Sequence, residues 1–290
     1  MTSATEVVRP AADFHGLKRV AVRRVTAPGI LNNLILGAIA VLFAIPLLWL
    51  VLASIDKHAS WSIALPHFTL SNFSSSLSAG RGQSLVVSLE LASIATVVAT
   101  VTGTLAAYVF SRRHIPWKGA ALLFVLFLSG VPINVIIIPM YQIFSQAGWL
   151  SVVPTAVFIG ITGLPFEIWM IKNFIDAVPA ELEEAARIEN VSTLKIIWRV
   201  VVPLAAPGIG AAAIYGFVNA WGSFLIPLVL ISNSAQQPGA VTVYSFISAA
   251  GVNYGDIAAF SILYSIPVVV LYLAMGRFFR GGFVLGGALK

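Results

Sequence analysis

Polar and apolar residues come in blocks along this chain, with little interleaving. Apolar runs with at most one charged residue lie near residues 30–54, 84–110, 119–143, 152–171, 207–231 and 256–276. Each is long enough for the roughly 20 helical residues that cross a bilayer. The pattern therefore predicts six transmembrane helices. The stretch 119–166 carries no charged residue and is too long for one helix. Gln146-Ala147-Gly148 supplies a turn in its middle, which makes it a hairpin of two spans. The first span is followed by no small-x-small cleavage site and reads as an uncleaved anchor. Residues 1–29 are polar and basic, without apolar periodicity, and are expected to form a cytoplasmic N-terminal tail. Residues 277–290 are expected to form a C-terminal one.

Composition and charge sharpen this picture. With 59% hydrophobic and 10% charged residues, the chain has too little charge to cover a water-facing surface, which excludes a soluble domain. Basic residues in short flanking loops are retained in the cytoplasm. With both termini inside, only Lys57 and Arg81 of the 17 lysines and arginines fall in outer segments. The net charge of +6 is then a consequence of topology, and a nucleic-acid partner loses its main support. Cysteine is absent, so disulfide and thiolate chemistry are excluded. His15, His58, His67 and His114 stand singly in loops, without metal-ligand spacing.

One polar island, residues 178–204, interrupts the apolar blocks. Pro179 suits a helix start, and Glu181, Glu183 and Glu184 crowd the early turns, where the helix dipole favours negative charge. Asn190 tolerates the left-handed conformation that ends a helix. Ser192 is placed to cap a second helix, in which Ile196, Ile197, Val200 and Val201 recur at helical spacing until Pro203 breaks it. Two short helices at an angle, forming a knob outside the bilayer, are expected. A solvated amphipathic loop is the plain alternative.

The island also has a register. Glu184-Ala185-Ala186, three residues, Asn190, nine residues and Val200-Val201-Val202-Pro203 resemble the EAA loop of ABC importer permeases. Asn190 stands in place of the family glycine. Four further segments resemble carbohydrate-type members of that family in the same order. They are Pro66 to Phe73, Gly103-Thr104-Leu105-Ala106-Ala107-Tyr108, Leu164-Pro165-Phe166 with Trp169, and Phe217 to Leu228 around Trp221. The end of the chain, Arg277 to Lys290, is similar to the tail of maltose-type and glycerol phosphate-type permeases. The resemblance implies an all-α integral membrane protein with six transmembrane helices, the type I ABC importer permease fold, and a cytoplasmic coupling helix within 178–204. It implies the second of two permease subunits in a bacterial inner membrane. The substrate would be a carbohydrate, or a related polyol or phosphorylated solute, delivered by an extracytoplasmic solute-binding protein. In the coupling loop, Glu184 would be the charged contact with a cytoplasmic ATP-binding subunit. Ala185 and Ala186 would form its flat face, Arg187 a second polar contact, and Asn190 and Pro203 its frame.

None of the lysines follows a glycine, so no phosphate-cradling loop is present, and energy must come from another subunit or an ion gradient. An ion-coupled secondary transporter is the rival reading, but it would normally show inverted repeats, and none is visible. With no Cys and no clustered His, a membrane enzyme lacks convergent catalytic groups. Glu90 and Glu167 are the acids within the apolar runs, where an unpaired charge at the centre costs about 2.5–3.5 kcal/mol or more. For Glu90, contact with substrate or a partner helix stands beside snorkelling to the surface. For Glu167 a structural hydrogen bond is expected. Asn219, Trp221 and Ser223 are candidates for lining the path, with plain aromatic packing the alternative for Trp221. Gly103 with Ala107, and Gly208, Ala212 and Gly216, are spaced for close helix packing in lipid.

Overall fold

In lipid the backbone must satisfy its own hydrogen bonds, and the chain does so almost entirely with helices. The computed structural model describes residues 27–63, 65–248 and 251–287. In chain order the helices are α1 (Ala27–Ser54), α2 (Ser71–Leu77), α3 (Arg81–Arg112), α4 (Lys118–Leu128), α5 (Ile133–Ala147) and α6 (Val152–Asp176). They continue with α7 (Ala180–Ile188), α8 (Thr193–Ile196), α9 (Val202–Trp221), α10 (Leu225–Leu230), α11 (Gly239–Thr242) and α12 (Tyr254–Gly287). A minimal hairpin pairs β1 (Ile247–Ser248) with β2 (Gly251–Val252) before α12. Five helical stretches among the described residues are long and apolar enough to cross a membrane: 32–54, 81–112, 152–176, 193–221 and 254–275.

The chain divides after Leu48 into two compact units. The described part of the first is the N-terminal portion of α1, whose Leu34, Leu42 and Phe43 are exposed, as suits a helix in lipid. In the second unit α3 packs against α6 and α9. The buried stripe of α3 runs through Ser84, Ser88, Leu91, Ala95, Ala99, Gly103, Ala107 and Tyr108, and most of these residues are small. Where lipid tails are as apolar as leucine, helices associate through close backbone approach, which small residues permit. A Cβ on Gly160 of α6 would stand 2.7 Å from the Ala95 carbonyl oxygen. Gly208 of α9 likewise sits against the Phe174 ring and Gly216 against the Glu167 carboxylate. Two apolar cores result. One gathers Leu91, Ala95, Ala156, Phe217 and Leu230, and the other, nearer α7, gathers Ala107, Ile171, Ile175, Ile197 and Ala212.

Three expectations are corrected. The third span is not one helix over 119–143 but two, α4 and α5. Pro132 lacks an N–H and pushes Val131 away from the helical region. Ser129-Gly130-Val131 turns instead, with Gly130 N–H donating to Phe127 O and Val131 N–H to Leu128 O. The fifth span is not 207–231. It runs continuously from Thr193 to Trp221, and α10 follows after a break. Pro203 therefore does not break the second helix of the polar island. A π-helical segment, Ile197–Val201, precedes it. The widened turn, with Val202 N–H donating to Ile197 O, accommodates a ring that would otherwise clash one α-turn back. The C-terminal segment continues α12 as helix to Gly287, and the expected N-terminal tail lies outside the described residues up to residue 26. The turn expected at 146–148 is present, with Gly148 left-handed at φ 71°.

At the α2 end of the second unit, the Pro66 to Phe73 segment has a structural account. The Asn72 amide donates to the carbonyls of Ala53, Ser54 and Asp56 at 3.5, 3.1 and 2.9 Å, closing the C-terminus of α1. The Asp56 carboxylate accepts from the backbone N–H groups of His58 and His67, and these bonds hold its carboxyl below the usual range.

Candidate functional site

Two features stand out: a polar cluster where α7 meets the bundle, and a cavity within the bundle. Helix α7 opens after Pro179 and ends at Glu189, and Asn190 follows at φ 57°, the left-handed conformation expected of it. Ser192 precedes α8 at the cap position, without a side-chain cap bond. Glu184, Ala185 and Arg187 are exposed, and Ala186 is half-buried. Leu182, Leu194 and Trp198 are exposed beside them, and Ile188 is 80% exposed.

Glu183, the neighbour of the motif glutamate, is the buried member, at 1% exposure. Its Oε1 accepts from Arg112 Nε at 2.6 Å and its Oε2 from the Tyr108 hydroxyl at 2.9 Å. Arg187 Nη2 lies 3.6 Å from Oε2. Arg112 Nη2 donates onward to the Ile175 and Val178 carbonyls at 3.0 and 2.6 Å. Ile175 lies in the last turn of α6 and Val178 two residues beyond its end, so the guanidinium holds the exit of that helix. One ion pair thus joins α3, α6 and α7. Beside it, the Ser111 hydroxyl donates to Asp176 at 2.6 Å, and Lys172 pairs with the same carboxylate at 2.5 Å. Spacing alone could assign Glu183 only to the helix dipole.

The cavity, of about 560 Å³, lies where the α4–α5 break, α3, α6 and α9 meet. Its polar lining includes Ser129, Thr162, Glu167, Tyr215, Asn219 and Ser223. Glu167 is 0% exposed. Its Oε2 accepts from Thr100 at 3.4 Å, the structural hydrogen bond expected of it, while its Oε1 has no hydrogen-bond partner among the described residues. The Asn219 amide donates to Tyr215 O at 2.9 Å. Asn219 and Ser223 thus reach the cavity, but the other two candidates do not. Trp221 is buried, stacked between Phe217 and Tyr264, with its indole N–H donating to Tyr264 O at 3.1 Å. The Tyr264 hydroxyl donates back to the Trp221 carbonyl. An aromatic ring satisfied in this way is core. Glu90 is exposed on the opposite face of α3, in line with Val86, Val97 and Val101.

A protein family described as binding-protein-dependent transport system inner membrane component matches residues 99–281. A trehalose transport system permease protein of Mycobacterium tuberculosis is 30% identical over 92% of this chain and 98% of its own. An osmoprotective compounds uptake permease protein of Synechocystis is 28% identical over 87% of this chain and 89% of its own. Among solved structures, a bacterial ABC transporter involved in the import of the acidic polysaccharide alginate shares the fold. Its TM-score is 0.74 at 20% identity, covering 87% of this chain and 96% of that one. These matches leave the ion-coupled alternative without support. Five long apolar helices, a broken sixth and a polar loop packed on the bundle among the described residues are thus the type I importer architecture, and the chain belongs to the binding-protein-dependent transport system inner membrane components as a permease subunit of an ABC importer.

Proposed function

We propose that this permease forms half of a translocation path for a carbohydrate, or a related polyol or phosphorylated solute. In this reading a second permease supplies the other half, an extracytoplasmic binding protein delivers the solute, and cytoplasmic ATP-binding subunits supply the energy. Both termini and the 178–204 loop face the cytoplasm, as the distribution of basic residues requires. The substrate class is supported by the carbohydrate-type motifs of the chain and by the relative named for trehalose. Hydroxyl and amide groups at Ser129, Thr162, Asn219 and Ser223 suit a hydroxylated solute. Glu90, on the outward face of α3, is assigned to the side of the path shared with the second permease, because an exposed carboxylate in lipid needs a partner.

The observation that carries the coupling is the exposed surface of α7. Ile188 and Leu182 stand open on a helix that also bears Glu181, Glu184 and Arg187. Large apolar side chains beside exposed charges outside the spans mark a protein contact. Glu184 and Arg187 supply its polar contacts, and Ala185 and Ala186 let the partner approach closely. Asn190 turns the chain, and Pro203 follows the π-helical segment that carries the loop back into the membrane.

The test is purification of the tagged complex in mild detergent, with identification of what accompanies it and an ATP hydrolysis assay. Wild type is expected to bring down an ATP-binding subunit and a second permease. Glu184→Lys should insert normally yet lose the ATP-binding subunit and uptake. Full recovery and uptake by that variant would remove Glu184 from the contact.

A further inference from the structure

We propose that Glu183 and Arg112 form the mechanical link between α7 and the cavity, with α3 as the connecting rod; this rests on the assignment of α7 as the ATPase contact. Glu183 faces away from the proposed docking surface. Its carboxylate is buried and takes the Arg112 and Tyr108 side chains at 2.6 and 2.9 Å. Both donors belong to α3, one α-turn apart on its buried face. From there the same face runs through Thr104, Gly103 and Thr100, where it meets Glu167, to Ala99 and Ala95 in the cavity wall.

The contacts of α7 with the rest of the bundle give the link its direction. Beyond the chain connection through Val178-Pro179 and the packing of Ala186 on the second core, the side-chain hydrogen bonds that join α7 to α3 among the described residues converge on this carboxylate. The Arg112 guanidinium also holds the Ile175 and Val178 carbonyls, so a displacement of α7 reaches α3 and the end of α6 together. A charged pair with its remaining donors satisfied fixes geometry more tightly than apolar contact does. Glu183 and Arg112 are therefore positioning residues. They do not touch solute or nucleotide; they carry movement to the groups that do.

The absence of cysteine allows a direct test. Ser129→Cys places one thiol in the cavity wall, and its rate of reaction with N-ethylmaleimide is measured in the purified complex, with and without MgATP and orthovanadate. Glu183→Ala, Glu183→Gln and Tyr108→Phe are compared in that background. ATP with vanadate is expected to change the labelling rate about tenfold in the parent. Glu183→Ala should abolish that response while ATP-binding subunits still co-purify. Glu183→Gln, whose amide can accept from Arg112 and donate to Tyr108, should restore most of it. Tyr108→Phe, which removes one bond, should reduce it about twofold.

A full ATP response in any alanine or phenylalanine variant that retains the ATP-binding subunits overturns the link. So does loss of those subunits from all three variants, because Glu183 would then only build the docking face. A parent complex without ATP-binding subunits overturns the docking assignment itself, a result separable from the other two.

Discussion

Glu183 and Glu167 are both buried glutamates held against α3, and the molecule treats them in opposite ways. Around Glu183 every neighbour answers the charge: a guanidinium on one oxygen, a phenol on the other, and a second arginine at 3.6 Å. Around Glu167 there is one long hydroxyl contact, and no lysine, arginine or histidine nitrogen lies within ion-pair distance among the described residues. Its other oxygen rests against the backbone of Gly216. A carboxylate that is wanted for its charge is surrounded by donors, because burying it otherwise is costly. One that is wedged between helices is held by shape. The first acts as a fastener and the second as a filler at the seam between two apolar cores.

The contrast makes unequal demands on substitution. Removing the Glu183 carboxylate leaves Arg112 buried and uncompensated, so Glu183→Ala should cost about 3–5 kcal/mol. Heat-induced loss of monodisperse protein in detergent would read this. The double variant with Arg112→Ala should recover part of the loss, since the stranded charge leaves with its partner; strictly additive losses would show that the two do not act as a pair. A smaller effect is expected at Gly216. Gly216→Ala drives a methyl group into the Glu167 carboxylate and should cost about 1–3 kcal/mol. Adding Glu167→Ala should relieve that cost, and no relief would mean that Glu167 does not fill the space as described. The smallest effect belongs to Glu167→Gln, which keeps the shape and replaces the carboxyl group with a neutral amide. With no cation to lose, it should stay within about 1 kcal/mol of wild type by the same measurement. A loss as large as that of Glu183→Ala would erase the contrast.

What was legible in the sequence follows the same division. Membrane spans are written in composition over some twenty residues, so the runs over 30–54, 84–110 and 152–171 appear within a turn or so of α1, α3 and α6. The left-handed turn at Asn190 was legible because few residues tolerate it. The break before Pro132 was written in Ser129-Gly130-Val131-Pro132 but masked by the hydrophobicity on both sides. Continuity through Pro203 was not legible, because a π-helical segment has no compositional mark. The Glu183–Arg112 pair joins residues 71 positions apart, and no local period connects them. Trp221 and Asn219 lie two residues apart on α9, and only packing decides that the first faces Tyr264 and the second the cavity.

The glycine contacts have a further consequence for how this bundle can move. Phe174 enters the backbone surface of α9 at Gly208, Glu167 enters it at Gly216, and α3 enters that of α6 at Gly160. These are tongue-and-groove joints set at different depths along the same three helices. Sliding one helix by a single residue, about 1.5 Å, would carry each tongue out of its groove and onto a side chain. The three joints thus oppose axial slip between α6 and its neighbours α3 and α9. Two breaks in the cavity wall lie outside these joints, the Ser129–Val131 turn and the Gly222–Phe224 step between α9 and α10, and bending there disturbs no tongue and groove.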